Sequence, residues 1–214
     1  MPTRGRCDYA AQAVECFLAQ TYENRELVIL DDFDMPSFQK GISHPLIRYY
    51  QTENIVFNIP VKRNRVNWLA NGEYIIHFDS DDYSHPDRIA QQVEHLESSG
   101  KAAVGFHTLL FHEPSTGLNF EYRARTNYAL GTSLCYRKWW WELNKFPENK
   151  PVGSDNHFVF AASAAKQLEC VPGGSMIVAR IHDDNTSKKH NRGTQYVAVG
   201  SERLPEGFLV GAAV

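Results

Sequence analysis

Apolar positions recur along this chain in two alternating periods. Between Tyr9 and Gln20, the residues Ala13, Cys16, Phe17 and Gln20 fall at helical spacing, and Asp8 stands where it can cap the start. Glu26–Leu30 is short, apolar and β-branched, and it runs into the carboxylate pair Asp31-Asp32, the pattern of a buried strand that delivers polar groups at its C-terminal end. A loop rich in Pro, Ser and Gly follows. The pattern then predicts a strand at Ile47–Tyr50, a helix over Val61–Ala70 closed by Asn71-Gly72, and a strand at Glu73–Phe78. This β-α-β alternation calls for a parallel sheet flanked by helices.

From Pro86, at a favoured first helical position, Ile89, Val93 and Leu96 form an apolar stripe that stops at Gly100. Beyond it the period shortens. Ala102–His112 and Leu118–Arg123 read as strands around the turn EPSTG, and Gly131–Tyr136 as another, so the second half is more antiparallel. Asp155–Lys166 is Ala-rich and helical in pattern, and Ser175–Ile181 is a last strand ending at His182. The run Trp139-Trp140-Trp141 cannot all be core if helical, because successive residues step by about 100° around the axis. At least one indole is expected at the periphery, stacked on a sugar or covered by the C-terminal tail. With no repeat and no long linker, one mixed α/β domain over 1–214 is the economical reading.

Composition narrows the class. The 214 residues are 43% hydrophobic and 22% charged with a net charge of −3, which excludes disorder and gives no basic footprint for nucleic acid. No apolar run approaches the ~20 residues that cross a bilayer, and MPTRGRCDY lacks a signal-peptide apolar region, so a cytoplasmic protein is expected. Cys7, Cys16, Cys135 and Cys170 stand singly, which argues for reduced, mostly buried thiols rather than a zinc or redox site.

The densest chemistry lies in YIIHFDSDDYSHPDR, where a hydrophobic strand meets Asp79, Asp81 and Asp82. Three carboxylates within four residues repel one another unless something positive meets them. A divalent cation is the natural partner, and hard oxygen ligands suit Mg²⁺ or Mn²⁺ completed by water and substrate phosphates. The competing reading is a solvated acidic turn that caps the next helix.

The segments MPTRGR, QTYENRELVILDD, Arg63-Asn64, GEYI, DSDD and PDRI occur in the order of blocks found in the inverting glycosyltransferases of family 2, with the GT-A fold, which the chain resembles over much of its length. The looser stretches GTSLCYR, VGSDN and IHDDNTS resemble later blocks of the same family. The resemblance implies a single GT-A-like domain with a Rossmann-like, mostly parallel mixed sheet, whose nucleotide-binding half is 1–100, acceptor half 101–193 and C-terminal extension 194–214. The family's first strand precedes its P-T block, so that strand is expected to be largely absent. Donor binding is implied for Thr3, Arg4, Asp32, Arg63, Asp79 and Ser80, with Asp32 accepting from a base N–H such as that of uracil. The metal falls to Asp81, with His182 and Asp79.

Asp155 is implied as the general base, although a helix N-cap is the plain alternative. The implied activity is metal-dependent, inverting transfer of a sugar from a nucleotide-diphosphate donor, most simply a UDP-sugar, to an acceptor hydroxyl. Acceptor contacts are expected from Leu118–Asn127 and the stretch after Gly193, with Lys188–Gly193 as a lid or a solvated loop. Two other classes compete: a catalytically silent sugar-nucleotide-binding module, and a haloacid-dehalogenase-like phosphatase with Asp79 as nucleophile and Asp183-Asp184 as its second acidic pair.

Overall fold

The computed structural model describes residues 1–5, 7–33, 43–52, 55–185 and 193–208. A three-stranded parallel sheet is built from β1 (Pro2–Thr3), β2 (Leu27–Asp31) and β3 (Ile47–Gln51) in that order. A second, mixed sheet holds β4 (Tyr74–Ile76), β5 (Tyr83–Ser84), β6 (Ala103–Glu113), β7 (Leu118–Arg123), β8 (Cys135–Arg137), β9 (Leu168–Pro172), β10 (Ile177–Arg180) and β11 (Tyr196–Val199), with β6 at its centre. Around them lie α1 (Cys7–Leu18), α2 (Ile59–Leu69), α3 (Arg88–Ser99), α4 (Lys138–Leu143) and α5 (Ser154–Ala164). The expected α/β class with flanking helices is present, but the sheet is divided in two. Antiparallel pairing dominates the larger half: among the described residues only β6·β9 and β6·β10 run parallel there.

Local chemistry explains where elements start and stop. Asn58 caps α2 by accepting from the Val61 N–H at 3.1 Å, and Pro60 occupies the first turn, where its missing donor costs nothing. Helix α2 buries Lys62, Arg63, Asn64 and Asn67, so its inward face is polar and its apolar period is weak. Helix α3 ends at Gly100, whose φ of 65° is the left-handed conformation glycine adopts without strain. The strand expected at Gly131–Tyr136 divides: Gly131–Ser133 is a 3₁₀ turn, and pairing begins only at Cys135. Ser133 causes this, because its hydroxyl accepts from the Phe106 N–H at 2.8 Å and donates to the Leu130 carbonyl at 2.7 Å, bending the backbone away from the ladder. β9 and β11 were not evident in the pattern. β11 pairs antiparallel with β7, which ties part of the expected C-terminal extension into the sheet.

The indoles divide as the step angle requires. Trp140 and Trp141 are buried with Phe146 and Phe158, whereas Trp139 is 46% exposed. Cys16 and Cys135 are buried free thiols and Cys170 is half-buried. Among the described residues no helix is long and apolar enough to cross a membrane.

Strand β1 has two residues, in register with Leu30 and Asp31. Ahead of it, the Met1 amine donates to the Val28 carbonyl at 2.6 Å inside the protein. Among the described residues β4 pairs with β8 alone, and a cavity of about 620 Å³ is lined by Met1, Val28, Val66, Ile75, Phe78 and Val93. Burial lowers the Met1 amine from 8.0 to about 5. Between those values the unfolded chain binds a proton that the folded chain does not, so stability rises with pH across the window.

Candidate active site

The loop after β4 carries His77, Asp79, Ser80, Asp81 and Asp82 before the chain re-enters the sheet as β5. Arg88, at the start of α3 and 1% exposed, holds this loop: its guanidinium donates to the His77 carbonyl at 2.6 Å, the Thr132 carbonyl at 3.0 Å and the Ser84 hydroxyl at 2.8 Å. Burial lowers Arg88 to about 10, with Asp79 and Asp82 opposing the drop, so it stays charged at neutral pH. The PDR segment therefore has a mechanical use that sequence reading did not assign.

Pairing of β5 with β10 sets Ser84 opposite Ile177 and brings the end of β10 beside the acidic loop. The His182 Nε2 lies 3.1 Å from Asp81 Oδ2, and the Asn185 amide lies 3.1 Å from the same ring nitrogen and 3.5 Å from the carboxylate. Tyr9 stacks on His182 with ring centroids 5.4 Å apart. Arg180, between the rings of Tyr9 and Phe208, donates to the Asp81 carbonyl at 2.8 Å and to Gln12. Asp82 is engaged structurally, accepting from the Thr132 hydroxyl at 2.7 Å and the Arg180 N–H at 3.2 Å. Asn185, Tyr9 and Arg180 were missed in the sequence; a charge inside the apolar strand IVAR was the available signal for Arg180.

On the other side of the loop, Arg63 bridges two carboxylates, pairing with Asp155 and lying 3.5 Å from Asp79. Burial acts to raise Asp79, but Arg63, with His77 and Thr132, brings it down to about 2, so it is ionised. His77 is pushed down to about 4 by burial and by Arg63. The neutral ring donates from Nδ1 to the Gly131 carbonyl at 2.7 Å, which leaves Nε2, 3.2 Å from the Tyr136 hydroxyl, as an acceptor.

Asp155 sits in the first turn of α5 after Gly153, whose φ is 76°. No side-chain capping bond is made by Gly153 at the N-cap, and Asp155 is turned to Arg63 instead. Gly131 permits this, because a Cβ there would meet the Asp155 side chain at 2.4–2.6 Å.

The donor residues expected near the N-terminus are placed differently. Asp32 is 1% exposed; its carboxylate pairs with Lys62 and accepts from the Phe57 N–H at 2.8 Å. Lys62 also donates to the Thr3 carbonyl at 3.0 Å, while the Thr3 hydroxyl is buried and has no hydrogen-bond partner among the described residues. Arg4 is exposed. Thr3, Arg4 and Asp32 thus gather at the ends of β1 and β2, outside a pocket of about 400 Å³ lined by Arg63, Asp79, Ser80, Asp81, Asp155 and Asn185. Lys188–Arg192, expected as a lid or solvated loop, lie outside the described residues.

The profile of glycosyl transferase family 2 matches residues 1–165. The chain belongs to that family. WcaA of Escherichia coli (strain K12), a protein named provisionally as a colanic acid biosynthesis glycosyl transferase, is 32% identical over 102 residues, which cover 45% of this chain and 36% of WcaA. In fold, the chain is similar to S. aureus TarS 1-349 in complex with UDP-GlcNAc (TM-score 0.69, 17% identity, 86% of this chain and 58% of that one). It is also similar to the mannosyltransferase PcManGT from Pyrobaculum calidifontis in complex with GDP-Man and Mn2+ (TM-score 0.66, 17% identity, 86% and 56%). The chain spans less than two thirds of each of these proteins. Membership in glycosyl transferase family 2 removes the ground for the phosphatase reading, and the geometry agrees: Asp183 and Asp184 are exposed and do not line the pocket that holds Asp79.

Proposed function

We propose that the chain transfers a sugar from a nucleoside-diphosphate donor, a UDP-sugar, to an acceptor hydroxyl with inversion at the anomeric carbon. One observation carries this reading: Asp155 lines the same 400 Å³ pocket as the loop Asp79–Asp82, so a carboxylate base and a donor site share one space. UDP-GlcNAc and GDP-Man, named in the TarS and PcManGT complexes, are both nucleoside-diphosphate sugars, and the first is a UDP-sugar.

Among the described residues no group of three or more His, Cys, Asp or Glu side chains is placed to hold a metal ion alone. Asp81 and His182, a carboxylate and an imidazole 3.1 Å apart, fit an Mg²⁺ or Mn²⁺ ion that draws its other ligands from water and the donor. When bound, that ion offsets negative charge on the departing diphosphate. Asp79 is the expected third contact.

The protein's own part is positional. Asp155 Oδ1 is held by Arg63, and Oδ2, packed beside Gly131, takes the acceptor proton as the oxygen attacks. Ser80 lines the same pocket and is the expected neighbour of the donor.

The test measures UDP release from a panel of UDP-sugars with Mn²⁺, and product configuration by proton NMR. Release with an inverted product is expected. Release with retention would remove Asp155 as base, and binding without release would mark a silent nucleotide-sugar module.

A further inference from the structure

One buried charge has no part in the transfer chemistry. Arg180 is 2% exposed at the end of β10, and a guanidinium taken out of water is costly unless partners meet it. Its two terminal nitrogens reach different elements: one donates to the Asp81 carbonyl of the acidic loop at 2.8 Å, the other to the Gln12 side chain of α1. Two rings lie against it, with the guanidinium carbon 5.1 Å from the centroid of Tyr9 and 5.0 Å from that of Phe208.

These contacts form a circuit through the proposed metal pair. Asp81 meets His182 through its side chain and Arg180 through its carbonyl, while Tyr9 stacks on His182 at an interplanar angle of 26° and also lies against Arg180. Asp81 and His182 are therefore each tied to Arg180, one by a hydrogen bond and the other through Tyr9, as well as to each other. A carboxylate and an imidazole offer an ion a fixed spacing only if neither can turn, and outer partners that prevent turning carry part of a site's affinity.

The circuit is covered by the segment 201–208. Phe208 is 6% exposed and packs edge to face on Tyr83, the residue after Asp82, with centroids 5.8 Å apart, and on His112 at 5.3 Å. The Phe208 N–H donates to the Pro205 carbonyl at 2.9 Å, and Arg203 pairs with Glu121 of β7 at 3.0 Å, so the turn that delivers the ring is anchored to the sheet. Arg180 and Phe208 both lie beyond residues 1–165, the part of the chain that the family profile matches.

We propose that Arg180 is a positioning residue for the metal pair, and that Phe208, by covering its guanidinium, makes the segment 201–208 a determinant of how strongly Mn²⁺ promotes donor binding. This rests on Asp81 and His182 holding the ion, as proposed above.

The test is isothermal titration calorimetry of UDP into the full chain, with Mn²⁺ and with chelator, read as the ratio of the two affinities. Arg180→Lys keeps the charge but has no planar fork to span Asp81 and Gln12, and it is expected to cut the ratio about tenfold or more. Phe208→Leu keeps apolar burial and removes the ring face, and a loss of about threefold to tenfold is expected. Phe208→Tyr retains the ring and should keep the wild-type ratio. In chelator all three variants should bind UDP as the wild type does, which a general loss of packing would not allow. Phe208→Leu decides the matter if Arg180→Lys fails to fold. An unchanged ratio in Phe208→Leu or in folded Arg180→Lys would overturn the proposal, as would an equal fall in affinity with and without Mn²⁺, or a loss in Phe208→Tyr as large as in Phe208→Leu. If Mn²⁺ leaves UDP binding to the wild-type chain unchanged, the metal pair falls and this proposal with it; a wild-type response that the variants leave intact removes only the role of Arg180 and Phe208.

Discussion

Asp155→Asn is expected to cut sugar transfer by ~10²–10⁴-fold while nucleotide affinity stays within a few-fold of wild type, the share general-base catalysis usually supplies. Asparagine keeps the shape and the hydrogen-bond acceptor but has no site for the acceptor's proton. The variant also removes one of the two carboxylates that balance Arg63, and Asp79 at 3.5 Å remains as the counter-ion. A drop in melting temperature is expected, limited by the partial exposure of the Asp155 side chain, 28%. The measurement is transfer rate and UDP affinity on the same preparation. A helix cap would survive the change, since Asn and Asp rank together as caps, and transfer would persist. Loss of UDP binding in parallel with transfer would instead place Asp155 on the donor. Gly131→Ala offers an independent check: its Cβ would displace the carboxylate without altering its chemistry, so a transfer defect there and in Asp155→Asn would point to the same atom.

The acidic loop was legible from the chain because its signal is local: a hydrophobic strand that ends in D-x-D-D is unusual at the level of a dozen residues. The convergence of His182 on Asp81 was reachable only through the order of the family's blocks, since 101 residues separate them and the β5·β10 register that unites them leaves no mark in either segment. Asp32 shows the limit of a local signal. Its place at the end of a buried strand was read correctly, but the partner that occupies it, Lys62, comes from the inward face of α2, where a polar helix face gives no periodic signal. The same weakness hid Arg63 as a clamp on Asp155. Strand β9 was missed because Leu168–Pro172 is half-buried, mixes Glu and Cys with apolar residues, and is held by parallel pairing to β6, a long-range contact. A local signal therefore shows where a carboxylate stands along the chain, and a second element decides which partner meets it.

Asp81→Asn is expected to abolish the response of donor binding to Mn²⁺, lowering Mn²⁺-dependent UDP affinity by at least ten- to a hundredfold, because loss of even an outer-shell partner of a ligand costs a metal site that much. Folding should survive. The contact from Arg180 to position 81 is made to the backbone carbonyl, and an asparagine can still meet His182 and Asn185. His182→Ala should weaken the response in the same direction and by less, since one ligand and the donor phosphates remain. Asp82→Asn supplies the contrast. Its carboxylate accepts from both the Thr132 hydroxyl and the Arg180 N–H, so the variant leaves one of these donors facing an amide nitrogen, a loss of about 1–3 kcal/mol. That change should lower the melting temperature while the Mn²⁺ response persists. The readout is the thermal shift produced by UDP with and without Mn²⁺, compared with chelator on the wild-type chain. If chelation leaves wild-type UDP binding unchanged, or if Asp82→Asn rather than Asp81→Asn erases the Mn²⁺ response, the ion is not held where Asp81 meets His182. The acidic loop would then owe its charge balance to protein cations such as Arg63, Arg88 and Arg180 rather than to a bound metal ion.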